Sequence, residues 1–158
     1  MGSTDALNGK IFAALTILLA VLVSPVVTWA VEYGSREEAK AMAERAAQFF
    51  VEQGKDKAFA AFNDGTDGFK DRDLYVFVYD NAGLCVAHGA NKAMVGKSLI
   101  ELHDVDGKAI VREIVATKTT GWVDYKWPNP QTKAITGKSA YVVRSGDYVF
   151  GVGAYNTP

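Results

Sequence analysis

In the stretch Leu74-Tyr75-Val76-Phe77-Val78-Tyr79 the side chains alternate with a period of two. Leu74, Val76 and Val78 share one face of a strand, and Tyr75, Phe77 and Tyr79 share the other. Neither face is polar. The turn Asp80-Asn81-Ala82-Gly83 then predicts a hairpin into a second, antiparallel strand, Leu84 to His88. Three further strands are predicted over Trp122 to Trp127, Lys138 to Ser145 and Asp147 to Tyr155. A Pro128-Asn129-Pro130 loop and a tight Ser145-Gly146-Asp147 turn join them.

Before this sheet the period is helical. Ser35-Arg36-Glu37-Glu38 is a capping box, and Ala39, Met42, Ala43, Ala46, Phe49 and Phe50 follow at steps of three and four until Gly54, a left-handed C-cap. A second short helix is predicted over Lys55 to Phe62, ended by Asn63-Asp64-Gly65 and Asp67-Gly68 turns, with a loop at Gly89 to Gly96 and a third helix over Asp104 to Thr117. Helices first, then neighbouring hairpins with one helical crossing, argue an α+β fold with a mostly antiparallel five-stranded sheet.

Ile11 to Val31 contains no charged residue while both flanks do. Ile11 to Val23 has the length of a signal-peptide core, Pro25 breaks it, and Thr28-Trp29-Ala30 offers small residues for cleavage after Ala30. The alternative is an uncleaved anchor, because the whole run is long enough, at the ~20 residues needed, to cross a bilayer. The expected organisation is therefore an export signal or anchor over 1–30 and one domain over 31–158, periplasmic or anchored facing the periplasm. Cys85 is the single cysteine, so no intramolecular disulfide is possible, and it reads as a small apolar filler. Lys plus Arg (17) against Asp plus Glu (18) leaves no basic nucleic-acid footprint.

The usual catalytic strings are absent: no GxSxG, P-loop, GxGxxG or HExxH occurs. Cys85 and His88 form a lone C-x-x-H pair without further ligands. Asp104-Val105-Asp106-Gly107 begins like a calcium loop without the later acids and reads as a helix-start turn. Asp71 and Asp73 read as solvated turn residues. No cofactor is expected, and no enzyme.

What is present is aromatic: Tyr75, Phe77 and Tyr79 on the first strand, Tyr125 and Trp127 on the third, Tyr141 on the fourth. Phe77 reads as core; the tyrosines and Trp127, whose OH and NH groups need partners when buried, suit either a core or a small polar pocket.

The chain resembles the extracellular Cache domains, PAS-like sensors, and among them the second type of single Cache. The likeness rests on "DLYVFVYDNAGLCVAHGANKAMVGKSL" (Asp73 to Leu99), "DVDGKAIVREIV" (Asp104 to Val115), "GWVDYKWPNPQT" (Gly121 to Thr132) and "GKSAYVVRSGDYVFGVGAY" (Gly137 to Tyr155). The resemblance implies a long N-terminal helix packed on a five-stranded antiparallel sheet, with a small ligand, often a short organic acid, bound on the opposite face. With no second membrane segment before Pro158, the chain looks like the free-standing periplasmic form. Lys138, on the family's lysine before the "SAY" strand, is implied as the carboxylate anchor, His88 as a second donor, and Tyr125, Trp127 and Tyr141 as walls, with Tyr75 and Phe77 beside them. Strict alternation sets Lys138 and Tyr141 on opposite faces, as it does Trp122 and Tyr125. Implied partners are a small anionic ligand, a membrane receptor or kinase, and a second copy through the N-terminal helix. The other reading is a partner-binding module without a small ligand.

Overall fold

A computed structural model of the chain describes residues 32–156, so the export or anchor segment lies outside the described residues. Among the described residues no helix is long and apolar enough to cross a membrane. Helix α1 runs from Arg36 to Gln53 and begins at a complete capping box: the Glu38 N–H donates to the Ser35 hydroxyl, and the Ser35 N–H donates to the Glu38 carboxylate. The Arg72 guanidinium bonded to it first, and its contacts with the Ser35 N–H and side chain second, hold the Glu38 carboxyl down at about 2. Ser35→Ala should lower stability by about 1 kcal/mol in denaturant titration. Gly54 ends α1 with a positive φ of 79°, but its ψ is extended rather than left-handed, and the chain turns directly into α2, Lys55–Asp64.

The sheet has six strands rather than the expected five: β1 Lys70–Asp71, β2 Leu74–Asp80, β3 Cys85–His88, β4 Thr120–Pro128, β5 Ile135–Ser145 and β6 Tyr148–Tyr155. The extra one, β1, pairs two residues with the start of β2, too short to show a periodicity. The order is β1-β2-β6-β5-β4, with β3 pairing β2 beside β1, and all pairs are antiparallel.

Both faces of this sheet are covered, as the two apolar faces of β2 require. Ala39, Met42, Ala43 and Ala46 of α1 and Phe59 and Phe62 of α2 pack against Leu74, Val76, Val78, Phe150 and Val152. On the opposite face, Tyr75, Phe77, Tyr79, Tyr125 and Tyr155 form a second core with helix α3, Ile110–Ala116. That helix is shorter than the sequence suggests. Asp104 starts no helix: its carboxylate accepts from the N–H groups of Asp106, Lys108 and, across on β4, Lys126. It caps a turn and one end of the edge strand instead, which draws its carboxyl below the usual range.

Candidate ligand-binding site

Register builds the site. Tyr125 on β4 pairs with Lys138 on β5, which pairs with Tyr155 on β6, so the three side chains stand in a row. Tyr75 and Phe77 of β2 lie on the same face. Gly151 and Gly153 of β6 also fall on this face, and their missing side chains are used. A Cβ at Gly153 would sit 2.2 Å from Lys138 Cε, and one at Gly151 would sit 2.1 Å from Phe77 Cζ. The lysine stem and the phenylalanine ring occupy the two glycine seats.

Lys138 is 2% exposed. Its Nζ lies 4.0 Å from the ring centroid of Tyr75, 4.9 Å from Tyr155, 5.4 Å from Phe77 and 5.9 Å from Tyr125, the arrangement of an aromatic cage around a cation. It donates one hydrogen bond, 2.8 Å, to the Tyr75 hydroxyl, and among the described residues it forms no ion pair. The Tyr75 hydroxyl meets that of Tyr155 at 3.2 Å, and Tyr155 donates to the Pro128 carbonyl at 2.9 Å. Burial outweighs the distant Asp73 charge and brings the lysine down to about 7. The same burial pushes the Tyr75, Tyr125 and Tyr155 hydroxyls up, so near neutral pH none supplies a counter-charge. A cation is thus held ready by aromatic rings and is only marginally stable there.

His88, 3% exposed, stands at the end of β3 with its ring 5.0 Å from that of Tyr75. Its Nδ1 accepts from the Asn91 N–H at 3.0 Å, so the neutral ring carries its proton on Nε2 as a donor. Burial first, and the Lys138 charge second, lower the imidazole to about 3. The unfolded chain binds this proton near pH 6.5, so His88 withdraws stability as pH falls from about 6.5 to about 3. Acid titration of His88→Asn should be flatter than that of the wild type by up to about 1.4 kcal/mol per pH unit in that window.

The space between Tyr75, Phe77, Tyr79, His88, Leu102, Ile110, Tyr125 and Trp127 is about 10 Å³, the limit for one water. It adjoins a cavity of about 200 Å³ lined by Tyr75, His88, Asn91, Met94, Trp127, Asn129 and Lys133. Lys138 bounds neither space; it lies behind the Tyr75 ring, which bounds both. A broader cleft of about 490 Å³ by the β4 edge reaches Lys138 and Tyr125. Besides Gly137, Ser139 and Asn156, its other walls are charged side chains, and Lys126 and Lys108 there already pair with Asp106 and Glu113.

Of the residues singled out from sequence, the fold brings together Lys138, Tyr75, Phe77, Tyr125, Trp127 and His88. Trp127 is half-buried, edge-on to Tyr125 at 6.2 Å. Tyr141 is not among them. It packs on the α1 face, 5.1 Å from Trp122 and under Lys40, because it stands three positions from Lys138, an odd offset, and a strand alternates every two. Sequence reasoning missed Tyr155, Gly151 and Gly153, although the string "GVGAY" sets all three on one parity. It also misplaced Asp73. Far from solvated, Asp73 is 0% exposed, with one oxygen on the Gly34 N–H at 2.7 Å and the other on the Asn129 side-chain amide at 3.0 Å. The hydroxyl of Thr136, two residues before Lys138, is buried without a hydrogen-bond partner among the described residues.

The chain matches the family Single Cache domain 2 over residues 25–156. The sensor histidine kinase MctS of Rhizobium johnstonii is 34% identical over 88 residues, 53% of this chain and 19% of that protein. The methyl-accepting chemotaxis protein McpP of Pseudomonas putida is 29% identical over 90 residues, 54% of this chain and 16% of that protein. The matched regions thus span under a fifth of either relative. Among solved structures, a methyl-accepting chemotaxis protein from Vibrio parahaemolyticus superposes with a TM-score of 0.66 at 23% identity, covering 75% of this chain and 86% of that one. A Cache chemosensory domain described for its carboxylic acid recognition superposes at 0.59 with 20% identity, covering 77% and 88%. The fold, with helices on both faces of an antiparallel sheet, and these matches agree: the chain belongs to the Single Cache domain 2 family of PAS-like sensor domains, carried by chemotaxis receptors and sensor histidine kinases.

Proposed function

We propose that this domain binds a small organic anion, a short carboxylic acid by class, on its aromatic face, and senses it without converting it. The observation that carries the reading is Lys138: an ammonium group caged by four rings, with no carboxylate paired to it among the described residues. A buried charge without a counter-charge is unfavourable, and an incoming carboxylate would supply one in surroundings of low polarity, where the attraction is strong. The Nε2–H of His88 and the Trp127 indole are further donors for its oxygens, while Met94, Leu102 and Ile110 suit a short apolar tail.

Cys85 is not poised as a nucleophile. The Cys85 thiol is buried and pushed up to about 12, which keeps it protonated. Binding, rather than turnover, fits such a set of groups. On the Tyr75 side the space is narrow, so a ligand entering there displaces the Pro128–Pro130 loop or the segment between β3 and α3 on its way to the ammonium. The same narrowness favours the second reading, a domain whose core is complete without a ligand and whose partner is another protein. The outward side of α1 bears Glu37, Lys40, Ala41, Glu44 and Gln48, a polar surface on which a homodimer would rest on charge pairing.

Acetate, propionate, butyrate and succinate, each tested for a rise in melting temperature, separate the two. Under the ligand reading at least one monocarboxylate raises the wild-type midpoint, and Lys138→Ala abolishes the rise. If no acid shifts the wild type, the partner-binding reading stands. We further place the domain outside the cytoplasmic membrane, on the strength of the apolar Ile11 to Val31 run, with a membrane receptor or kinase as its downstream partner.

A further inference from the structure

We infer that Asp73 is a positioning residue that couples the pocket loop to the start of α1, so that displacement of one is felt at the other. Its use in sensing rests on the ligand reading above; the linkage itself does not. The carboxylate is wholly buried, and its two oxygens hold two segments that are distant in sequence, the Gly34 N–H at 2.7 Å and the Asn129 amide at 3.0 Å.

Each end is itself rigid. Asn129 is 1% exposed, and its Oδ1 accepts from the N–H groups of Gln131 (2.8 Å) and Thr132 (3.2 Å). Its backbone closes the loop through Ala134 and Lys133 at 2.9 Å each. The loop therefore moves as a unit. Through the Pro128 carbonyl it is bonded to Tyr155, then Tyr75, then Lys138, so the hydrogen-bond path from the caged ammonium reaches the residue next to Asn129. At the other end, a Cβ on Gly34 would lie 2.2 Å from Leu74 Cγ, so only glycine lets that backbone approach Asp73. The adjoining Arg72 fixes the same junction, donating to the Tyr33 carbonyl at 3.0 Å and to Glu38, in the first turn of α1, at 2.6 Å.

A buried carboxylate cannot give up one donor without leaving an oxygen unpaired, which is strongly unfavourable. A loop displaced by a ligand therefore draws Asp73 with it or breaks its bond, and either event reaches Gly34. In sequence, only Glu32 and Tyr33 separate Gly34 from the apolar Ile11 to Val31 run.

Residue-resolved hydrogen exchange on the full chain tests this. In Asn129→Ala, exchange at the Gly34 amide should rise about tenfold or more relative to the central-strand amides of Val142 and Phe150, the loss expected for a bond to a charged acceptor. An unchanged ratio overturns the coupling. The reverse arm uses Asp73→Asn, which keeps the shape and removes one acceptor: exchange at Gln131 and Thr132 should rise against the same references, and no change there overturns it equally. Propionate supplies the third arm. If it raises the melting temperature but leaves Gly34 exchange unaltered, the coupling is wrong while binding stands. If it does not bind and Asn129→Ala still loosens Gly34, the coupling stands and the ligand reading falls.

Discussion

Lys138→Met should melt at a higher temperature than the wild type at pH 6, and the difference should shrink steadily as pH rises. Methionine fills a similar volume without a charge, and removing an unpaired buried charge in favour of an apolar group of like shape stabilises. In the folded chain the lysine holds its proton only to about pH 7, against an ordinary value of 10.5. Between those values the unfolded wild type binds the proton and the folded one does not, so wild-type stability climbs with pH by up to about 1.4 kcal/mol per unit. Below pH 7 both states are protonated and the burden of the buried charge is constant. Paired thermal or urea melts from pH 6 to 10 measure it. A difference independent of pH would mean that Lys138 titrates alike in the folded and unfolded chain, as a lysine open to water does. Tolerance of the charge has a functional sense only if something else neutralises it.

Gly153→Ala should be among the most damaging single-methyl additions to this domain. The new Cβ would lie 2.2, 2.8 and 3.0 Å from Cε, Cγ and Cδ of Lys138, so the clash runs along the whole stem. Exposed lysines swing aside at no cost; this one is walled in by rings. Strain of about 1–3 kcal/mol is expected from overpacking, together with loss of the Nζ to Tyr75 bond. Gly151→Ala makes a useful comparison, since its Cβ would strike the Phe77 ring at 2.1 Å and leave the lysine alone. Both should lower the urea midpoint, but only Gly153→Ala should also abolish carboxylate binding. Equal binding by the two variants would show that the lysine's position is immaterial.

The alternation in β2 makes the two-faced sheet legible in the sequence, and the same rule keeps Tyr141 and Trp122 away from Lys138, although the family resemblance groups Tyr141 with it. Period two is dictated by the strand itself, so it survives folding. What could not be read is what depends on partners distant in sequence. Asp73 looked like a turn residue because its local surroundings are polar and flexible; its burial follows from Gly34 and Asn129 closing over it. Asp104 looked like a helix start for the same reason, until β4 supplied the Lys126 N–H. The glycines of β6 were visible as letters, but a glycine reports only that something approaches closely. Naming Lys138 and Phe77 as the occupants needed the register of β5 and β2 against β6.

Calorimetric titration of the domain with propionate at pH 8, in two buffers of different ionisation heat, tests the central claim most directly. A carboxylate paired with Lys138 favours its charged form, so binding should take up close to one proton at pH 8 and almost none at pH 6, and affinity should fall as pH rises above about 7. Binding without proton uptake at pH 8, or with the same affinity in Lys138→Met, would contradict it.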